Sequence, residues 1–198
     1  IPEVEEEELE ATDKWMLAEL DELIEFSTEK MENYEFSKAR DRIRYVFWNI
    51  FCDDYLEIAK QRLEEDTDLS AVYTLRVAHQ KFVKLFAPFL SHVTEELYNE
   101  MISDSEEFES VHLSEWPEKE GIEFDVEKGE TAMEVISALR KFKNEHGMAL
   151  NEELSTVEVY GKIEGFEEAI EEVMHVGDVT ARSGEPETED RISEIKLD

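Results

Sequence analysis

Apolar residues recur at intervals of three and four positions in four long stretches of the first hundred residues, which is the spacing of one face of an α-helix. These stretches predict helices over about residues 12–33, 37–63, 69–87 and 90–102. Four long amphipathic helices joined by short connections favour an antiparallel bundle, because each helix has to bury its apolar face against another.

Two details of the predicted helices can be tested directly. Thr12 or Asp13 is placed to cap the first helix, since both side chains accept hydrogen bonds from free backbone N–H groups. In the fourth helix, Val93, Leu97 and Met101 are expected to face inward.

The second predicted helix is the longest and keeps polar groups among many aromatic ones, as expected of a helix that packs on one side and meets a partner on the other. Its predicted core stripe is Phe36, Ala39, Ile43, Phe47, Ile50 and Ile58. Further apolar residues widen the stripe, so the middle of this helix is expected to be buried from two sides: Tyr45, Trp48, Phe51, Cys52 and Tyr55.

The pattern changes after residue 102. Residues 103–126 are expected to be irregular and anchored by Trp116-Pro117, and a fifth helix over 128–146 is expected to end at a left-handed Gly147. Strands are predicted at 156–160, 176–182 and 191–197, with a helix over 165–174 and a loop at 183–190. The predicted fold is mainly α: an acidic, solvated lead-in (1–11), a helical bundle (12–120) and a small α+β module (127–198).

Charge is the most unusual property of the composition. Twenty basic residues against 53 acidic ones give a net charge of −33, while the apolar content is an ordinary 41%. Three explanations are possible: the acidic residues bind a basic partner, they form a solubilising tail, or they adapt the protein to molar salt. Their spread over the whole chain favours salt, because at about 1 M the Debye length falls to about 3 Å and the acids hardly repel one another. The fold is therefore expected to loosen in dilute buffer and tighten in concentrated KCl.

Several kinds of chemistry have no support in the sequence. Cys52 is alone, which excludes an internal disulfide and a cysteine-based metal cluster, and it is interpreted as a small core residue. The five histidines form no metal-binding pair, and there is no glycine-rich phosphate loop or Gly-x-Ser-x-Gly elbow. We expect no catalytic residue, no metal and no cofactor in this chain.

The cellular location of the protein is inferred from targeting and membrane-spanning segments that the sequence lacks. No apolar run approaches the 18 residues that suggest a membrane span, and there is no signal peptide. The chain opens with Ile1 rather than methionine, which is interpreted as an internal cut from a longer protein. The expectation is a cytoplasmic, monomeric protein without membrane contact.

One segment departs from the general acidity. Between Phe36 and Arg62, six basic residues oppose four acids, a local charge of +2, while the rest of the chain carries −35. This contrast indicates contact with a polyanion, for which Arg40, Arg44 and Trp48 supply guanidinium groups and a stacking face. The alternative is that the arginines pair with acids of neighbouring helices and the aromatic rings pack in the core.

Several motifs resemble the anticodon-binding helical domain of class I aminoacyl-tRNA synthetases, most closely the valyl-tRNA synthetase group. They are Asp13-Lys14-Trp15-Met16-Leu17 with Leu20, Tyr34-x-Phe36-x-x-Ala39, Phe47-Trp48-x-x-Phe51-Cys52-Asp53-x-Tyr55-Leu56-Glu57-x-x-Lys60, Leu85-Phe86-Ala87-Pro88-Phe89-Leu90 followed by Thr94-Glu95-Glu96-Leu97, and Ser114-Glu115-Trp116-Pro117. A weaker similarity continues through 139–147.

The resemblance implies a parent enzyme that uses ATP and Mg²⁺ to attach valine to tRNA(Val), with catalytic and editing domains upstream of this fragment. It implies that Leu56 and Lys60, together with Asp53, face the anticodon loop. The absence of a long C-terminal coiled coil suggests the archaeal form, and the acidity a haloarchaeal source.

Two alternatives stay open at this stage. One is the same domain from an isoleucyl- or leucyl-tRNA synthetase. The other is a helical adaptor that docks on a protein partner and does not bind nucleic acid, in which case Trp48 and Leu56 would be buried in protein contacts and Lys60 would be free.

Overall fold

The computed structural model describes residues 4–65, 68–182 and 192–196. Over these residues the chain forms a helical bundle followed by a small α+β unit, as predicted. The helices are α1 (Ala11–Glu32), α2 (Phe36–Tyr45), a π-helical segment (Val46–Tyr55), α3 (Leu56–Glu65), α4 (Leu69–Phe86), α5 (Ser91–Met101), α6 (Val126–Glu145) and α7 (Glu167–Met174). The strands are β1 (Thr156–Tyr160), β2 (Val179–Arg182) and β3 (Ile192–Lys196). The predicted loop at 183–190 lies outside the described residues.

Helix α1 lies at the centre of the bundle. It packs against α2, the π-helical segment, α4 and α6, and every residue from Trp15 to Leu20 is buried. The three- and four-residue spacing of Met16, Leu20 and Leu23 correctly identified one buried face. Residues on its other faces are buried as well, and α6 is among the elements that pack against α1.

The predicted cap of α1 is wrong. The helix begins after Glu10, which makes no side-chain capping bond, and Thr12 and Asp13 already lie in its first turn. Asp13 is fully buried and accepts hydrogen bonds from other helices instead. The acidic lead-in is exposed from Glu5 to Glu8 but ends at Leu9, which is buried in the core.

The predicted core stripes contain five errors. Phe36, Tyr45 and Trp48 of the long second helix are exposed, and so are Val93 and Met101 of α5. Helix α5 packs through Thr94 and Tyr98, so Val93 and Met101 lie off the buried line. In the second helix, Ala39, Ile43, Ile50 and Ile58 are buried as predicted.

The irregular segment after α5 is held against α1. Trp116 donates from Nε1 to Thr28 Oγ1 at 2.9 Å and Pro117 is buried, which confirms the predicted anchor. Asp21 accepts backbone hydrogen bonds from Glu120 and Gly121, both at 2.7 Å. A carboxylate that satisfies these amides orders a stretch that has no regular structure of its own.

The C-terminal unit is a three-stranded sheet in the order β2-β1-β3. Strand β1 pairs in parallel with β2 and antiparallel with β3. Helix α6 ends as predicted at Gly147, whose φ is +69°. The Gly147 and Met148 amides donate to the carbonyls of Asn144 and Lys143, the bonding pattern of a Schellman cap.

Trp15 joins the bundle to this unit. Its indole meets the ring of Phe166 edge-on, with the ring centroids 6.0 Å apart, and lies against the backbone of Gly129 in α6. One cluster of buried apolar side chains runs from the bundle into the sheet.

We expect Gly129→Ala to lower the free energy of unfolding by about 1–3 kcal/mol, the usual cost of overpacking a core. A Cβ at this position would lie 2.3 Å from Cδ1 of Trp15, so α6 or the indole has to move. At a site with room for a Cβ, the same substitution instead raises the free energy of unfolding by about 0.4–1 kcal/mol. The sign of the measured change therefore shows whether the contact with Trp15 is tight. Urea denaturation measures it, with Ser137→Ala on the exposed side of α6 as the control. A Gly129→Ala chain as stable as the parent would show that the contact is not tight.

Candidate nucleic-acid interface

The six predicted tRNA-binding residues lie on the long second helix, and none is fully buried. Arg40, Arg44, Trp48, Asp53 and Lys60 are exposed, and Leu56 is half-buried against the core. Trp48 is 62% exposed and the Lys60 side chain 63%. Within the described chain the Trp48 side chain is therefore open to a partner, as both the tRNA-binding interpretation and the adaptor alternative require.

A change of helix type lies in the middle of this surface. Arg40, Arg44 and Trp48 are spaced four apart, the interval that places residues on one side of an α-helix. From Val46 to Tyr55 the helix has the wider π form, in which hydrogen bonds join residues five apart and each turn takes more residues than in an α-helix. Asp53, five residues after Trp48, therefore stays on the side of Trp48. In a continuous α-helix it would turn well away.

The same wide turn determines which side chains face the core. Val46, Ile50, Phe51 and Tyr55 are buried, and the rings of Phe51 and Tyr55 stack with centroids 6.1 Å apart. π-Helical turns are rare and are frequent at functional sites. The residue pattern alone gave no sign of this segment, because apolar residues occur on every side of it.

The basic residues of this helix fall into two groups. Arg42 and Arg62 face other elements: Arg42 lies 3.8 Å from the buried Glu19, and Arg62 is inside a hydrogen-bonded network. Burial raises the pKa of Glu19 to about 7, although the Arg42 charge lowers it. For these two arginines the alternative interpretation, pairing with acids of neighbouring helices, is correct.

The second group is available to a ligand. Arg40 pairs with the adjacent Asp41 at 2.9 Å and Lys60 with Glu57 at 3.0 Å, both in exposed positions where such pairs contribute little. Arg44 makes no ion pair with any residue that the structure describes. A phosphate can therefore recruit these three side chains at low cost.

An apolar groove runs beside this surface, between the π-helical segment, the end of α4 and α5. Its volume is about 450 Å³, and Arg40, Arg44 and Trp48 stand at its rim. The far wall of the groove could not be predicted from the sequence, because it depends on how α4 and α5 pack. Five phenylalanines line the groove: Phe47, Phe51, Phe82, Phe86 and Phe89.

A second cavity adjoins the first. It has a volume of about 620 Å³ and shares Phe51 and His79 with the apolar groove. Its other lining residues are more polar and include Arg76 and Glu100. Burial lowers the pKa of His79, so its imidazole is neutral at pH 7.

A buried polar network holds α3, the helix that carries Leu56 and Lys60. Arg62 donates to Asp13 at 2.8 Å and to Asp68, the N-cap of α4, at 2.6 Å. Asp13 also accepts from the hydroxyls of Tyr55 and Ser70. Burial and the Asp13 charge raise the pKa of Tyr55 well above its usual range, so the phenol remains a donor.

Little else in the described residues suggests chemistry. They contain no group of three or more histidine, cysteine, aspartate or glutamate side chains that could hold a metal ion. Cys52 is half-buried, and burial raises the pKa of its thiol, which opposes reactivity. No helix among them is long and apolar enough to cross a membrane.

Comparison with known proteins gives consistent results. The sequence model of the family described as "Anticodon-binding domain of tRNA ligase" matches residues 13–159. A valine–tRNA ligase of Haloarcula marismortui is 53% identical over 98% of this chain and 21% of its own length. Valine–tRNA ligases of Pyrococcus furiosus and Rickettsia felis are 37% and 34% identical, over 96% and 93% of this chain and 22% of each relative. The chain thus spans about a fifth of the length of these relatives.

Proposed function

This chain belongs to the family of anticodon-binding domains of tRNA ligases, and on that premise we propose that it binds the anticodon loop of tRNA(Val) within a longer valine–tRNA ligase. Arg40, Arg44 and Lys60 contact phosphates, Trp48 stacks on a base, and Asp53 and Leu56 meet the loop beside them. The observation that carries the proposal is the exposed Trp48, flanked by available arginines, on a molecule whose net charge is −33.

The reaction itself belongs to the rest of the parent protein. There, a catalytic domain joins valine to tRNA(Val) with ATP and Mg²⁺, an editing domain accompanies it, and this part contributes recognition and no cofactor site. We propose that the parent is a cytoplasmic monomer of a salt-adapted organism, consistent with the acidic composition and the similarity to the Haloarcula protein.

Binding tests the proposal directly. A tRNA(Val) transcript, the same transcript with its anticodon replaced, and isoleucine and leucine tRNAs are titrated against the chain and against the full-length protein in about 2 M KCl. We expect tRNA(Val) to bind most tightly and to lose affinity when the anticodon changes. Equal affinity for all the RNAs would reject anticodon recognition, and preference for an isoleucine or leucine tRNA would assign the domain to that enzyme.

We expect Trp48→Ala to weaken tRNA(Val) binding about 5- to 150-fold, because stacking on an aromatic side chain contributes about 1–3 kcal/mol per base. Filter binding or fluorescence anisotropy measures the change. Tyr34→Ala is the matched control, since Tyr34 is exposed and aromatic but belongs to the α1–α2 turn. Equal losses of affinity in both variants would show that Trp48 has no specific role in binding.

The dependence of binding on salt is expected to be shallow. Counterion release from single strands contributes a slope of about −0.7 per neutralised phosphate, so three basic side chains give a slope of about −2 for log K against log [KCl]. A titration between about 0.3 and 3 M KCl determines it. A slope that corresponds to six or more released ions would contradict a site that relies mainly on stacking.

A further inference from the structure

The two cavities that adjoin beside the π-helical segment, between it, α4 and α5, are together called the trench. The apolar cavity and its neighbour share Phe51 and His79 in their linings, so the two cavities meet at these residues. Volumes of about 450 and 620 Å³ are in the range of small-molecule sites.

The chemistry of the two cavities differs. The apolar cavity offers aromatic rings and no polar surface of note, apart from Arg40 and Arg44 at its rim. Such a site binds any nucleotide base by stacking, because every base has a π-face. It cannot distinguish bases by hydrogen bonds to their edges.

The neighbouring cavity can make that distinction. Arg76 and Glu100 are exposed in its lining, and neither forms an ion pair within the described parts of the chain. Arg76 supplies donors and Glu100 an acceptor. The Gln80 amide is engaged by Glu106, and the neutral His79 adds one further donor or acceptor. A carboxylate accepts hydrogen bonds from exocyclic amines, as in pairs between acidic side chains and cytosine.

We propose that two successive looped-out nucleotides of the bound RNA occupy this trench. The apolar cavity takes one base by stacking, whatever its identity. The cavity of Arg76 and Glu100 selects for a neighbour that carries an exocyclic amine, which Glu100 accepts while Arg76 donates to a ring nitrogen or carbonyl. This proposal rests on the proposed function and adds a selective subsite on α4 and α5.

Charge favours RNA as the occupant over a protein segment. Arg40 and Arg44 line the apolar cavity and Arg76 lines its neighbour, in a chain that is otherwise strongly acidic. A polyanion bound across both cavities therefore meets a cation in each. An apolar protein segment would use the rings of the first cavity and leave Arg44 and Arg76 without partners.

The test uses Glu100→Gln in the full-length protein, with tRNA(Val) transcripts in which each anticodon-loop base in turn is replaced by uridine, which lacks the amine. General electrostatics predicts tighter RNA binding when a carboxylate is removed. The proposal predicts the opposite: Glu100→Gln binds native tRNA about 5-fold more weakly, because an amide oxygen accepts a hydrogen bond about half as strong as the one a carboxylate accepts. It also predicts that the transcript with uridine at the selected position binds Glu100→Gln and wild-type protein with almost equal affinity, because that transcript has no exocyclic amine for Glu100 to accept from.

Two further variants complete the design. Glu96→Gln removes an exposed charge from the same helix but lines neither cavity, so it should leave the affinity unchanged or slightly higher. Arg76→Ala should lose affinity for native tRNA, and Arg76→Lys should restore only part of it, because lysine lacks the planar fork.

The outcomes separate this inference from the proposed function. If Trp48→Ala weakens binding while Glu100→Gln and Arg76→Ala behave like Glu96→Gln, anticodon binding stands and the selective subsite is wrong. If Trp48→Ala also has no effect, the proposed function fails. Hydrogen exchange of α5 that is slower in the full-length protein than in this chain alone, and unchanged by tRNA, would show that another part of the protein covers the trench and would overturn the inference.

Discussion

Replacing Arg62 with methionine is expected to lower the free energy of unfolding by about 3–5 kcal/mol, the usual cost of removing one partner from a buried ion pair. The guanidinium bonds to Asp13, Asp68 and Thr12, and only 10% of the side chain is exposed. Without it, the fully buried Asp13 carboxylate keeps two hydroxyl donors but no counter-charge. Methionine preserves most of the apolar part of the side chain, so the loss of stability is due to the missing guanidinium group.

The measurement is urea denaturation at fixed KCl, because guanidinium chloride would change the ionic screening during the titration. Lys60→Met is the matched control: it lies two residues earlier on α3, and its exposed pair with Glu57 contributes less than about 1 kcal/mol. The double variant Asp13→Asn with Arg62→Met should lose less than the sum of the single changes, since the two groups are coupled. An Arg62→Met chain as stable as Lys60→Met would show that the network is not structural.

Lys143→Met is expected to destabilise the chain by about 2–4 kcal/mol, with the loss centred on the C-terminal unit. The ammonium is buried and donates to three backbone carbonyls, those of Leu150, Glu152 and Met174, at 2.8, 2.5 and 2.6 Å. It therefore ties the end of α6 to the loop after it and to the end of α7. An unsatisfied buried carbonyl costs about 1–3 kcal/mol, and relief of the buried charge offsets part of the total.

Urea denaturation gives the size of this effect, and hydrogen exchange gives its location. Burial lowers the pKa of Lys143, so methionine removes an ammonium whose charge is already disfavoured, which limits the loss. Lys162→Met, an exposed lysine 3.7 Å from Asp125, is the control and should be close to neutral. Faster exchange in β1 and α7, with the bundle unaffected, is the expected pattern. Uniformly faster hydrogen exchange would show that Lys143 stabilises the whole chain and not the C-terminal unit in particular.

The helices could be predicted from the sequence because their signals are local. The three- and four-residue spacing placed the bounds of α4 and α5 within one residue, and the alternation in Thr156–Tyr160 identified β1. Gly147 marked the end of α6 for a reason that involves only its own backbone. The motifs resembling anticodon-binding domains likewise identified the family that the comparison confirms.

The site could be predicted only in part, because it depends on distant contacts. Trp48 fits both the predicted core stripe and the predicted tRNA-binding surface, and only the packed structure shows that its side chain is exposed. Asp13 and Arg62 are 49 residues apart, and nothing local pairs them. Arg76 and Glu100 belong to different helices and share a cavity only once α4 and α5 have packed.

Chemical footprinting of tRNA(Val) bound to the full-length protein shows whether this surface meets the anticodon loop. We expect wild-type protein to protect the base edges and phosphates of the anticodon loop, and Trp48→Ala to remove this protection while contacts elsewhere on the tRNA persist. Protection confined to other parts of the tRNA, identical in wild type and Trp48→Ala, would contradict this expectation.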